Sequence, residues 1–157
     1  MILQKNTANR LGIFVFYDKD GIADEYNFYF IEELKKQVSR LLVICNGDVE
    51  EEAGKRFSRI ADEVMMRGNE GFDITAYHLG LKKYGYNRDG KFDEVIICNS
   101  TMFGPVYPFR EMFEKMAVRD LDFWGITNFH EVPFDPFGTV KYGMLPKHVQ
   151  SFFMVFR

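Results

Sequence analysis

Six short runs in which nearly every residue is apolar punctuate the chain, at 11–17, 41–45, 64–66, 95–98, 123–127 and 152–156. Strands apolar at every position suit a sheet covered on both faces, whereas strict alternation marks a sheet wet on one side. Between these runs the apolar positions recur at helical spacing. Tyr26, Phe30, Ile31, Leu34 and Val38 form one stripe, with Asp24 placed as an N-cap. Val49, Ala53, Phe57 and Ile60 form a second, where Asp48 and Glu51 are spaced like a capping box. Ile74, Tyr77, His78, Leu81 and Tyr84 form a third, and Phe109, Met112, Phe113 and Met116 a fourth, introduced by Pro105 and Pro108. Strand and helix therefore alternate, which predicts an α/β fold with three layers, helix, mainly parallel sheet and helix. Residues 128–147, rich in Pro, Gly and Phe, show no clear period and read as a long surface loop.

Composition narrows the class. A chain of 157 residues accommodates one domain, taken here as 1–157. Aromatic residues make up 17% and charged residues 27%, as expected of a globular chain. A net charge of −3 and a pI near 5.6 argue against a nucleic-acid binder that works through a broad basic surface. Cys45 and Cys98 both lie inside apolar runs and read as core thiols, which fits a reducing compartment. No stretch approaches the roughly 18–20 apolar residues of a membrane span, so the expected location is cytoplasmic. The last apolar run stops one residue before the end, which leads us to expect a domain truncated at its C-terminus.

Candidate chemistry sits where the runs give way to polar turns. In open α/β sheets, ligands bind beyond the carboxyl ends of the strands, where backbone N–H groups and helix N-termini converge. Asn46-Gly47-Asp48 ends the second run, and Asn46 is the better ligand candidate because Asp48 reads as a cap. Arg67 to Asp73 offers a cation, two glycines and a helix start suited to phosphates or ribose, with Asn69, Gly71 and Asp73 as contacts. Asn99-Ser100-Thr101 ends the fourth run, and Tyr17 at the end of the first could stack on a base. Asp18-Lys19-Asp20-Gly21 opens like a calcium loop but lacks the later ligands, so it reads as a turn. His78, on an apolar stripe, reads as a core histidine rather than a catalyst.

The order of these motifs resembles the nucleotide-sugar half of a GT-A-like, Rossmann-like glycosyltransferase, and more closely the rhamnan synthesis protein F family. Asn46-Gly47, residues 69–73, Asn99-Ser100-Thr101 with Gly104-Pro105, residues 122–127 and 148–152 carry the likeness. It implies a donor such as dTDP-rhamnose, a glycan or lipid-linked glycan acceptor, and a role in rhamnose-containing cell-surface polysaccharides. It places the domain in the cytoplasm, at the inner membrane face through partners or missing sequence.

Many relatives of that fold carry Asp-any-Asp where this chain has Asn99-Ser100-Thr101, and amide and hydroxyl groups are weak substitutes for two carboxylates. Asp93 and Glu94 lie at the opposite end of the strand. The expectation is metal-independent donor binding, or a manganese or magnesium ion held weakly with help from elsewhere. Trp124 could stack on the sugar, although a lone Trp is more often core, and Gln150 could face the cleft. Inverting transfer also needs a carboxylate base. Glu131 and Asp135 are the acidic candidates in the loop, and neither matches a family motif. Two rival readings are a binding or scaffolding module that has lost catalysis, and a flavodoxin-like or regulator-like doubly wound domain.

Overall fold

The computed structural model describes residues 2–3 and 8–157. The elements are β1 (Arg10–Tyr17), α1 (Glu25–Lys35), β2 (Arg40–Asn46), α2 (Glu51–Ile60), β3 (Glu63–Arg67), α3 (Phe72–Lys83), β4 (Glu94–Asn99), α4 (Phe109–Ala117), β5 (Phe123–Gly125), β6 (Asn128–Phe129), β7 (His148–Val149) and β8 (Phe153–Phe156). A short 3-10 turn, Gly85–Asn87, joins α3 to β4.

Six strands form one sheet in the order β3-β2-β1-β4-β8-β5. The pairs β1 with β2, β1 with β4 and β2 with β3 are parallel. β8 is antiparallel to both β4 and β5 and lies between them. The sheet is thus the expected mainly parallel one, with the last strand wedged in against the grain.

Both faces are covered, which is why the runs are apolar throughout. On one face Phe14, Phe16, Leu41, Val43, Ile96 and Phe153 pack beneath α1, α2 and α4. On the other, Leu11, Ile13, Val15, Leu42, Ile44 and Ile97 pack beneath α3. Successive strand residues alternate between the two clusters, as the pleat requires. Aromatic rings fill the first layer: Phe57 of α2 lies 5.1 Å from Phe16 and 5.0 Å from Phe28. β3 departs from the expected burial. It is an edge strand of half-buried residues, with Met66 exposed.

The helical stripes hold in α1, α2 and α4 but shift in α3. There the buried residues are Ala76, Tyr77 and Gly80, while Ile74 is exposed. Gly80 brings the helix close to the sheet, since a Cβ on it would stand 2.9 Å from the Ile13 side chain. Small residues make this contact, so a stripe drawn through large apolar residues misses it. His78 is exposed, its Nε2 3.4 Å from the Tyr86 hydroxyl, and is no core histidine.

Asp48 makes no capping box. α2 begins two residues later than that box requires, because Glu50 at the N-cap donates its N–H to the Gly21 carbonyl at 3.0 Å. Asp24 does occupy the N-cap of α1, without a side-chain bond to the helix.

The expected long loop holds paired backbone. β6 and β7 pair antiparallel, and Val132 bridges Leu145 further out. Asp135 accepts backbone N–H bonds from Phe137 at 3.0 Å and Val140 at 2.6 Å. The Val140 bond, with further help from neighbouring amides against burial, holds its carboxyl below the ordinary aspartate value. Its oxygens close a turn. No described helix is long and apolar enough to cross a membrane.

Candidate functional site at the carboxyl rim

The parallel strands β1 to β4 all end on the same rim. Tyr17 lies beside Asn46 in register, and Asn46 lies beside Arg67. Asn99 closes β4 one position beyond the level of Cys98 and Phe14, paired with Val15.

Two hydrogen-bonded groups organise this rim. In the first, Arg67 Nη1 donates to Asn46 Oδ1 at 2.7 Å and to the Phe72 carbonyl at 3.4 Å, while Nη2 donates to the Glu70 carbonyl. Arg67 therefore clamps the 68–72 turn onto the end of β2. Its side chain is 11% exposed, so it acts mainly as a brace and not as a free cation. Asn46 is fully buried, and its Nδ2 has no hydrogen-bond partner among the described residues. A buried amide left unpaired is costly, which makes it a candidate donor to a ligand atom.

In the second group, Asn99 Nδ2 donates to Asp73 Oδ2 at 2.6 Å, and Asn99 Oδ1 accepts from the Thr101 N–H at 3.2 Å and the Thr101 hydroxyl at 2.6 Å. Asp73 lies in the first turn of α3, where a carboxylate is favoured by the helix dipole. Ser100 stitches β4 to β1: its hydroxyl lies 3.4 Å from both the N–H and the carbonyl of Tyr17, and its own N–H donates to the Val15 carbonyl at 3.0 Å.

The turn between β3 and α3 is conformationally unusual. Gly71 has φ 70° and Phe72 φ 53°, and the Phe72 ring is 71% exposed. A left-handed aromatic residue stores strain, a trait that clusters at functional sites. The sequence signal for Phe72 was weak because an aromatic after glycine normally reads as the first core residue of a helix. Tyr17 is also exposed, its ring lying beside Gly47 where a Cβ would approach it to 3.7 Å.

The lead-in to β8 reaches the same rim. The Asn99 N–H donates to the Phe152 carbonyl at 3.2 Å, and the Tyr77 hydroxyl to the Ser151 carbonyl at 3.2 Å. Burial pushes the Tyr77 phenol well above its ordinary value, so it stays a donor. Half-buried Gln150 precedes these two residues, its N–H held by the Thr127 carbonyl at 3.0 Å.

Trp124 does not join the rim. It is 5% exposed, packs edge-on against Phe113, and sends Nε1 toward Glu94 Oε1 at 3.4 Å, at the opposite end of the sheet. Its sugar-stacking role is corrected to a core role. Gly125 likewise serves packing, since a Cβ there would stand 2.3 Å from Val149 and 2.8 Å from the Phe153 carbonyl.

A divalent cation fits the rim poorly. Asn99 Oδ1 is already shared by two donors of Thr101, which leaves Asp73 as the carboxylate of this group. Among the described residues no group of three His, Cys, Asp or Glu side chains is arranged to hold a metal ion.

Next to the rim, residues 102–108 and α4 enclose an apolar groove of about 480 Å³, walled by Phe103, Val106, Tyr107, Met112 and Ile126. Phe103 stacks on Tyr26 at 4.2 Å, and the Tyr29 hydroxyl donates to the Pro105 carbonyl at 3.3 Å. The Gly104–Pro105 bond within this loop is cis.

A mainly parallel, doubly covered α/β sheet with polar side chains gathered at its carboxyl rim defines the class of protein. The family model of rhamnan synthesis protein F matches residues 41–157. The chain belongs to that family, and its place is in rhamnan synthesis, among sugar and glycan partners. No curated protein matches it.

Proposed function

We propose that the chain is the donor-binding domain of a GT-A-like glycosyltransferase that takes a nucleotide sugar, dTDP-rhamnose or a close relative, for rhamnose-polysaccharide synthesis. The observation that carries this reading is the meeting of the Asn46, Asn69 to Asp73 and Asn99 corners at one rim, joined by the Arg67 and Asp73 hydrogen bonds. Asn46 Nδ2 is assigned to the base, with Tyr17 and Phe72 offering exposed rings for stacking. The N-terminus of α3 is assigned to the diphosphate, where helix N–H groups offset anionic charge without a metal. In this reading Arg67, Asp73, Asn99 and Ser100 position the turns, Asn69, Gly71, Thr101 and Gln150 border the ligand, and 1–157 acts as one unit. The apolar groove beside the rim is assigned to the acceptor, a glycan or lipid-linked glycan. The domain would work at the cytoplasmic side of a membrane.

One observation favours the rival reading of a binding module without transfer: the Asn99 side-chain oxygen, at the place of a metal-binding carboxylate, is taken up by the N–H and hydroxyl of Thr101. Binding and turnover separate the two.

A thermal-shift panel of dTDP, UDP and dTDP-rhamnose, each with and without manganese, tests donor binding. A nucleotide at 100 times its dissociation constant raises stability by about 2.7 kcal/mol. Tyr17→Ala is expected to weaken that nucleotide by the ~1–3 kcal/mol worth of a base stacked on an aromatic ring. A panel with no shift for any nucleotide sinks the proposal; a shift without sugar transfer to a glycan acceptor selects the binding module.

A further inference from the structure

At the amino ends of the parallel strands, opposite the carboxyl rim, Arg10 opens β1 with a side chain only 6% exposed. Its Nε donates to Glu94 Oε2 at 2.6 Å, its Nη1 reaches the Gln37 carbonyl at 3.5 Å, and its guanidinium lies 4.6 Å above the Phe113 ring. Nη2 is buried and has no partner among the described residues. Glu94 divides its charge, because its other oxygen accepts from Arg157 Nε at 3.0 Å. Arg10 is thus a buried cation that shares its carboxylate and leaves two N–H donors unanswered, an arrangement that calls for an acceptor.

A cavity of about 320 Å³ opens beside Arg10, lined also by Lys36, Gln37, Ser39, Arg110 and Glu114. Lys36 pairs with Glu33, and Arg110 faces Glu114 at 3.8 Å. Exposed pairs of this kind are weak and exchange readily for a better partner. Cationic side chains from β1, the end of α1 and α4 therefore surround one polar cavity, with the buried one beneath.

We propose that this cavity is a binding site for a phosphate-type oxyanion, held by Arg10 Nη2 at its floor and by Lys36 and Arg110 at its mouth. Guanidinium groups match phosphate oxygens in paired, charge-assisted hydrogen bonds. Donors approaching from three elements suit a tetrahedral anion better than a flat carboxylate. The cavity also exceeds a bare phosphate in size, leaving room for the organic part of a phosphate ester. Because it lies at the amino end of the strands, it is independent of the donor cleft.

Calorimetric titration of the whole chain with inorganic phosphate, at constant ionic strength and against chloride, tests the site. Saturable binding with a dissociation constant of about 1 mM or tighter is expected. Glucose 1-phosphate, as a second arm, tells an ester ligand from the free ion by which of the two binds more tightly. The double variant Lys36→Gln/Arg110→Gln, at surface positions that leave the Glu94 cluster intact, should weaken phosphate about tenfold or more. Saturating dTDP should leave phosphate binding unchanged. Heat that never saturates, an undiminished affinity in the double variant, or displacement of phosphate by dTDP would each overturn the proposal.

Discussion

Glu94 is 1% exposed and answers three groups, the Nε of Arg10, the Nε of Arg157 at 3.0 Å and the indole of Trp124. Arg157 also donates to the carbonyls of Met116 and Arg119, so one carboxylate ties β1, β4, β5, β8 and the end of α4 together. Removing one member of a buried ion pair strands the other, and Glu94→Gln is expected to cost about 3–5 kcal/mol in urea unfolding. A loss below ~1 kcal/mol would mean that the cluster is hydrated and behaves as a surface pair. In the sequence Glu94 shows only that it opens its strand, at the end away from the polar rim. Its partners lie 84 and 63 positions away along the chain, beyond any local pattern. Trp124 was hidden for the same reason. Asn46 and Asn99 were legible because a polar residue that ends a fully apolar strand has few other places to be.

Among the elements, the join of α1 to β2 turns on Asp62. Its Oδ2 accepts from Lys35 Nζ and from the Leu41 N–H at 2.7 Å, and its own N–H returns a bond to the Leu41 carbonyl at 3.0 Å. Burial works to raise this carboxyl, but the Lys35 and Leu41 bonds outweigh it and hold it below the ordinary aspartate value. A carboxyl lowered in the folded state adds stability that is complete above the unfolded value, near pH ~4, and is lost as pH falls through the lower folded value. Asp62→Asn should therefore destabilise the protein at pH 7 and make little difference in strong acid, measured as urea midpoints across that range. A difference that stays constant with pH would rule out this linkage. At this scale the alternation of strand and helix was written plainly in the apolar runs. The one stripe that misled, in α3, failed because Ala76 and Gly80 make the contact through smallness, which a count of large apolar residues does not register.

For the molecule as a whole, the decisive feature is β8, which among the described strands alone joins β5 to the rest of the sheet. Phe153 is fully buried and touches Phe30, Phe109, Phe113 and Trp124. Phe153→Ala is expected to cost about 3–5 kcal/mol and to release β5 with β8, read by hydrogen exchange as early loss of protection at both. Protection lost uniformly across all strands would show instead that the sheet opens as one unit. An antiparallel insertion could not be foreseen from the run at 152–156, because a fully apolar strand has the same composition in either direction. Two buried thiols complete the picture. Cys45 is pushed up to about 12 by burial, and Cys98 is raised further still for the same reason. The placing of β8 also dictates an assembly order during synthesis: β1 to β4 and their helices can settle as they emerge, while β5 must wait, unattached, through the whole β6–β7 excursion until its neighbour has been made.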